Sequence, residues 1–262
     1  MVVLWLAMAL AIWPQATAPT PVASINVSAG APIAIDLGKL KGQFVRRLAW
    51  SPDASELYLM TYDANKDASV KKTYHFLIPA GTGVPKAVDA QPAWAESYWT
   101  WKSAQASPDD PALKIDLSTE KKRDDSVALP FGGDLARGGS TSAGSGVAGG
   151  MSQDEALAAA RAMQGNNVYT MRLKGEVIGE WINHPTVPGQ TFGWAPKGVG
   201  LIAYAEQKSG RLVLMNHAGD KKKIDGTKEV IFPAWTEDGT RLAYLEERGR
   251  YRFALFLAIV QK

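Results

Sequence analysis

The chain has 262 residues, 46% of them hydrophobic and 21% charged, with a formal net charge of +3. That is enough for one or two domains with a sizeable core, and the charge balance gives no reason to expect nucleic acid. There are no cysteines, which excludes disulfides, thiolate metal sites, a cysteine nucleophile and a lipidated cysteine.

Val2 to Trp13 is an unbroken apolar run. It has the length of a secretory h-region and is shorter than the roughly 20 residues of a spanning helix. Ala16-Thr17-Ala18 offers small residues for cleavage, and Ala23 is an alternative site. Residues 1–23 therefore read as a signal peptide with an open cleavage position, and an uncleaved anchor is the other reading. The Pro/Ala/Thr tract from Pro14 to Pro21 reads as an extended tether. Export puts the protein in the periplasm or outside the cell, with no integral membrane span once the leader is removed.

After a strand candidate at Ala31–Gly38, a phrase built on tryptophan recurs. Trp50, Trp94, Trp194 and Trp235 each follow a small residue. Leu57, Trp101, Leu201 and Leu242 stand seven positions later. Gly198 and Gly239 fall four after their Trp, where a tight turn calls for positive φ. Pro52 and Pro196 fall two after it, at a turn start. "LIAYAE" matches "LAYLE" better with a shift of one residue. Each turn leads into a β-rich run: "ELYLMTY", "LIAYAE" and "RLAYLEE". Further strands follow at short distance, with "HAGD" as a turn before a weak fourth strand, "KKKI".

Trp50 and Trp94 are 44 residues apart, and Trp194 and Trp235 are 41 apart. A four-stranded propeller blade takes roughly 40–45 residues. Trp94 and Trp194 are 100 apart, which leaves room for extra material. Gly132–Gly150 is rich in Gly and Ser and reads as a loop or linker. The stretch from Ser152 to Gly165 reads as a helix, with Ser152 and Glu155 as a capping box. Strand character returns at Asn166, with Lys174-Gly175 as a hairpin turn. An insertion at 132–165 within one domain is preferred to a domain boundary, because the repeat resumes afterwards and neither half closes a ring. The expected fold is all-β: a propeller of about five four-stranded blades, give or take one, over residues 24–262. Ala31–Gly38 is expected to complete the last blade beside "RFALFLAIV".

"AWSPDASELYLM" and "AWTEDGTRLAYL" resemble the TolB-type β-propeller repeat, a WD-like repeat. The likeness covers under half of the chain after the leader. It implies a general binding platform, sometimes attached to peptidases, rather than one activity.

Catalytic motifs are missing. Ser140, Ser142 and Ser145 lack flanking glycines at both −2 and +2, so none forms a nucleophile elbow, and "GTGVPK" lacks the strand–loop–helix order of a P-loop. His75, His184 and His217 have no ligand spacing, so no metal or cofactor is expected. The acidic pairs Asp109-Asp110, Asp124-Asp125 and Glu246-Glu247 point to opposite faces if they lie on strands. The cluster Tyr98, Trp99 and Trp101 is the strongest candidate for ligand stacking, with His184 as a lesser one; read as a strand, it puts Trp99 and Trp101 on one face. The leading expectation is a binding or scaffold module for a protein partner. The rival is an envelope enzyme, carbohydrate-active or other, with distant carboxylates meeting at the ring's mouth.

Overall fold

The computed structural model describes residues 21–65, 70–102, 104–122, 166–182, 192–207, 209–249 and 251–261. A 3₁₀ turn at Val22–Ser24 leads into strands β1 (Asn26–Ala29) and β2 (Ile33–Asp36), then a single helical turn, α1 (Leu37–Leu40). Strands β3 (Phe44–Trp50), β4 (Glu56–Ala64), β5 (Val70–Pro79) and β6 (Lys86–Val88) form the first antiparallel sheet in that order. Helix α2 (Ala93–Lys102) follows. The second sheet is β7 (Asp116–Lys122), β8 (Asn166–Leu173) and β9 (Glu176–Ile182). The third is β10 (Phe192–Trp194), β11 (Leu201–Ala205), β12 (Leu212–Asn216) and β13 (Lys221–Lys223). The fourth joins β14 (Val230–Trp235), β15 (Arg241–Gly249) and β16 (Arg252–Gln261) to β1 and β2.

These four sheets are the blades of a β-propeller, one fewer than the five expected. The ring closes as the sequence suggests. Ile35 in β2 pairs with Phe253, and β1 pairs with the far half of β16 from Ala258 to Gln261. Closure by β1 and β2 on β16 covers an open sheet edge. The cores lie between neighbouring blades: one between the first and fourth, one between the third and fourth, one between the second and third. One blade cannot bury both of its faces alone, so the repeat must stack.

Trp50, Trp194 and Trp235 end the innermost strands and are at most 1% exposed. Each ring packs between blades, and each indole N–H reaches the neighbouring blade's backbone. Trp50 Nε1 donates to Ala234 O at 3.0 Å, Trp235 Nε1 to Gly193 O at 3.1 Å, and Trp194 Nε1 to Ala104 O at 2.8 Å. The first two acceptors are the small residue just before the next repeat's Trp. A small residue there lets the backbones approach: a Cβ on Gly193 would meet Pro233 O at 2.5 Å.

Two parts of the repeat alignment need correction. Leu57 and Leu242 stand opposite their tryptophans, but Ile202, not Leu201, stands opposite Trp194. The third turn is one residue longer, closing from Ala195 N to Leu201 O, whereas the first closes from Ser51 N to Glu56 O. That accounts for the shift of one residue noted in the sequence.

Trp94 is not a blade tryptophan. It lies half-buried on α2, and Trp101 lies on the same helix rather than on a strand. The second repeat begins later, at "ASPDDPALK". Ala106 bridges Lys114, Ser107 N donates to Leu113 O and Ile115 N to Gln105 O. The inner strand of this blade has shrunk to one bridge, and Ala106 stands where the other repeats carry Trp. The expected signal peptide through Thr20, the expected insertion at 132–165 with its helix, and His184 lie outside the described residues.

Candidate functional site

Three inner strands stand side by side around the ring axis in the order β3, β14, β10, and α2 packs against both β3 and β10. The helix thus occupies the fourth position, where the second blade has no inner strand of length. Pro92 precedes the first turn, Glu96 lies near the N-terminus and Lys102 in the last turn, all suited to a helix. Ala95, Tyr98, Trp99 and Lys102 are the buried positions. Their spacing of i, i+3, i+4 and i+7 is one helical face. On a strand Tyr98 and Trp99 would face apart; the helix turns both inward.

Tyr98 donates its hydroxyl to Trp235 O at 2.9 Å, and burial holds its phenol well above the usual range. Trp101 meets the Tyr98 ring edge-on at 5.0 Å. The Trp99 ring carries two cations, with the Arg47 guanidinium at 5.0 Å and Lys102 Nζ at 4.8 Å. Lys102 is fully buried, its Nζ has no hydrogen-bond partner among the described residues, and burial lowers its pKa to about 7. Arg47 is anchored outward. Its Nη1 donates to Glu96 Oε2 at 2.9 Å and Gln91 Oε1 at 3.1 Å, and Gln91 Nε2 donates to the same Glu96 oxygen at 2.7 Å. These bonds, Gln91 first and then Arg47, hold the Glu96 carboxyl below its ordinary range. The polar chain continues through Tyr58, whose hydroxyl lies 2.7 Å from His75 Nδ1 and 3.4 Å from Gln91 Oε1. Burial raises the Tyr58 phenol and lowers the His75 imidazole.

A separate concavity opens between the second, third and fourth blades. It encloses about 290 Å³, near the lower end of small-ligand pockets at roughly 300 Å³. Glu180 of β9, Glu206 and Gln207 beyond β11, Glu229 ahead of β14 and Glu247 of β15 line it, over an apolar floor that includes Ile178 and Ile231. Among the described residues no Lys or Arg lines it. Lys223 Nζ sits 2.6 Å from Glu206 Oε1, and Ser209 Oγ donates to the same carboxylate. Both lower the Glu206 pKa, Lys223 most. Glu229, Glu247 and Glu180 are exposed.

The aromatic cluster and the acidic pocket are thus distinct places. The sequence flagged Tyr98, Trp99 and Trp101, which the structure draws together in α2 against the ring. Sequence reasoning missed Arg47, Lys102 and the four glutamates. The glutamates share no local motif and meet only because three blades do. His75 and His217 lie apart, and His217 Nε2 is 2.9 Å from Ser107 Oγ at the second repeat's turn.

No family model matches the sequence, and no curated protein matches it. Among solved structures, TolB from Acinetobacter baumannii is similar at 10% identity and a TM-score of 0.25. The match covers 83% of this chain and 43% of that one, so the chain spans less than half of TolB's length.

Proposed function

We propose that this chain is an exported β-propeller binding module that docks a protein partner in the cell envelope through a cationic side chain. The observation that carries the reading is the acidic pocket, where Glu180, Glu206, Glu229 and Glu247 converge from three blades around an apolar floor. A Lys or Arg of a partner fits it: the stem packs on Ile178 and Ile231 while the charged head meets carboxylates. Glu206 is already paired with Lys223, so the carboxylates open to a partner's cation are the exposed ones of Glu180, Glu229 and Glu247. A propeller suits such a role, because rigid blades hold loop side chains in fixed positions.

The test places a photo-crosslinking residue at Gln207, in the pocket lining, and maps crosslinked peptides from an envelope extract. The reading expects one partner, crosslinked beside a Lys or Arg, lost at high salt and lost in Glu229→Gln/Glu247→Gln. Crosslinks unchanged by that double substitution would remove the pocket from the function.

The same pocket supports one second reading. Several carboxylates facing a single cavity can act on a glycosidic bond, one as acid and one as base or nucleophile. Hydrolysis of a glycan panel by the native protein, abolished in Glu229→Gln or Glu247→Gln, would favour that enzyme. Absence of turnover, with partner crosslinking intact, would favour the binder.

A further inference from the structure

The first described residues are built into the ring. Val22 is 3% exposed and Ile25 is fully buried, both in the core between the third and fourth blades. Their 3₁₀ turn packs against β12 and β13. Ser24 Oγ donates to Pro21 O at 2.9 Å, and Ile25 N donates to Val22 O at 3.3 Å. Lys222, from β13, donates its ammonium to Ala23 O at 3.2 Å and to Ile25 O. Immediately afterwards, Asn26 pairs with Gln261 to begin closing the ring. Val22, Ala23, Ile25 and Asn26 are therefore each tied to blade structure.

From this we infer that the mature protein retains Val22, so that the leader is removed on the N-terminal side of that residue, within the Ala16-Thr17-Ala18 stretch. The inference rests on the export reading above. Two small-residue positions compete in the sequence, Ala18 and Ala23. Hydrolysis after Ala23 would break the Ala23–Ser24 peptide bond with one water, leaving a carboxylate on the leader and an ammonium on Ser24. The new chain would lose Val22 from the core and one carbonyl acceptor of Lys222. Its new ammonium would stand beside the Lys222 ammonium, a like-charge pair at a site built for a carbonyl. Hydrolysis by the leader peptidase of the export machinery within Ala16-Thr17-Ala18 breaks the same kind of bond at the same cost in water. It leaves Val22, Ala23 and their bonds intact.

Two arms test this independently. In the first, the chain with its leader is expressed in an exporting bacterial host, and the N-terminus of the exported protein is sequenced. A start at Thr17 or Pro19 is expected; a start at Ser24 in stably folded protein would overturn the inference. Retention of an intact leader in the cytoplasm would count against export, and the second arm then decides the place of Val22. There, forms starting at Pro19 and at Ser24 are compared by thermal unfolding. The shorter form is expected to melt at least about 5 °C lower, or to fail to fold. Val22→Ala in the longer form guards against the latter and is expected to lower the midpoint by roughly 2–5 °C. Equal midpoints for the Pro19 and Ser24 forms would overturn the inference.

Discussion

The Asp109 carboxylate accepts the backbone N–H of Gly198 at 2.5 Å, and its second oxygen accepts that of Gly200 at 2.9 Å. The two turns belong to neighbouring repeats. In the first repeat the turn is held by its own Asp53, which accepts from Ser55 N, and in the last by Asp238, which accepts from Thr240 N. The third repeat has Lys197 at that position and takes its carboxylate from the second. This bond joins the blade whose inner strand has shrunk to the rest of the ring.

Replacing Asp109 with Ala leaves two backbone donors without their carboxylate. A loss of about 1–3 kcal/mol is expected, measured by urea unfolding. Asp110→Ala is the control, since Asp110 caps only Ala112 N within its own turn. Equal losses would mean that the inter-blade bond adds nothing.

The indole bonds predict an unequal response among the tryptophans. Trp50→Phe keeps most of the apolar plate but leaves Ala234 O without its donor, at about 1–3 kcal/mol plus a packing loss. Trp94→Phe, on the half-buried face of α2, is expected to cost less than about 1 kcal/mol. Thermal unfolding of the two variants separates them. A larger cost at Trp94 would restore it as a blade residue.

Lys102 predicts a pH dependence. Its folded-state pKa is about 7, below the ordinary 10.5, because burial disfavours the charged form. The folded state therefore binds fewer protons than the unfolded state between those values. The penalty is fully present below pH 7 and is relieved as pH rises from 7 toward 10.5, at up to about 1.4 kcal/mol per unit. Lys102→Met keeps the volume and removes the charge. The variant is expected to be more stable than the native protein at pH 7, and the gap should narrow at pH 9. Urea midpoints for both proteins at pH 7, 8 and 9 check this; a gap that does not change with pH would mean that the ammonium is solvated or paired.

Ala54 occupies the turn position held by Gly198 and Gly239, with φ of +56° against +90° and +68°. An L side chain is strained there. Ala54→Gly relieves that strain against a smaller gain in unfolded-state entropy, so stability should rise by roughly 0.5 kcal/mol. A fall in the melting midpoint would show that the Ala methyl packs better than the backbone suffers.

Much of the fold was legible because the repeat is written in local chemistry. The turn glycines Gly198 and Gly239, the hairpin at Lys174-Gly175 and the strand "KKKI" are where the sequence puts them, and β2 closes the last blade. The count of five in place of four came from Trp94. Its preceding Ala and its spacing from Trp50 imitate a repeat, and the β-prone residues of "SYWTW" suit a strand. The signal for a helix was also present, as apolar residues at Ala95, Tyr98 and Trp99 in helical spacing after Pro92. The true second repeat shares Ser-Pro-Asp with the first, but alignment on Trp passed over it because Ala106 stands at the Trp position. The acidic pocket was illegible, since its glutamates are separated by up to 67 residues and no short-range pattern joins them.

The sequence by itself determined the unit of the fold: turn, strand and tryptophan plate, each specified by backbone and side-chain preferences that act over a few residues. It also pointed to the pairing of the early strand with β16, because each has an edge to cover. Only the tertiary structure decided how many blades close the ring, that α2 takes the place of an inner strand, and that Lys102 is sealed against Trp99. It alone brought four carboxylates from three blades into one pocket. Those outcomes depend on how sheets pack face to face around an axis, a balance of burial and shape summed over residues far apart in the chain.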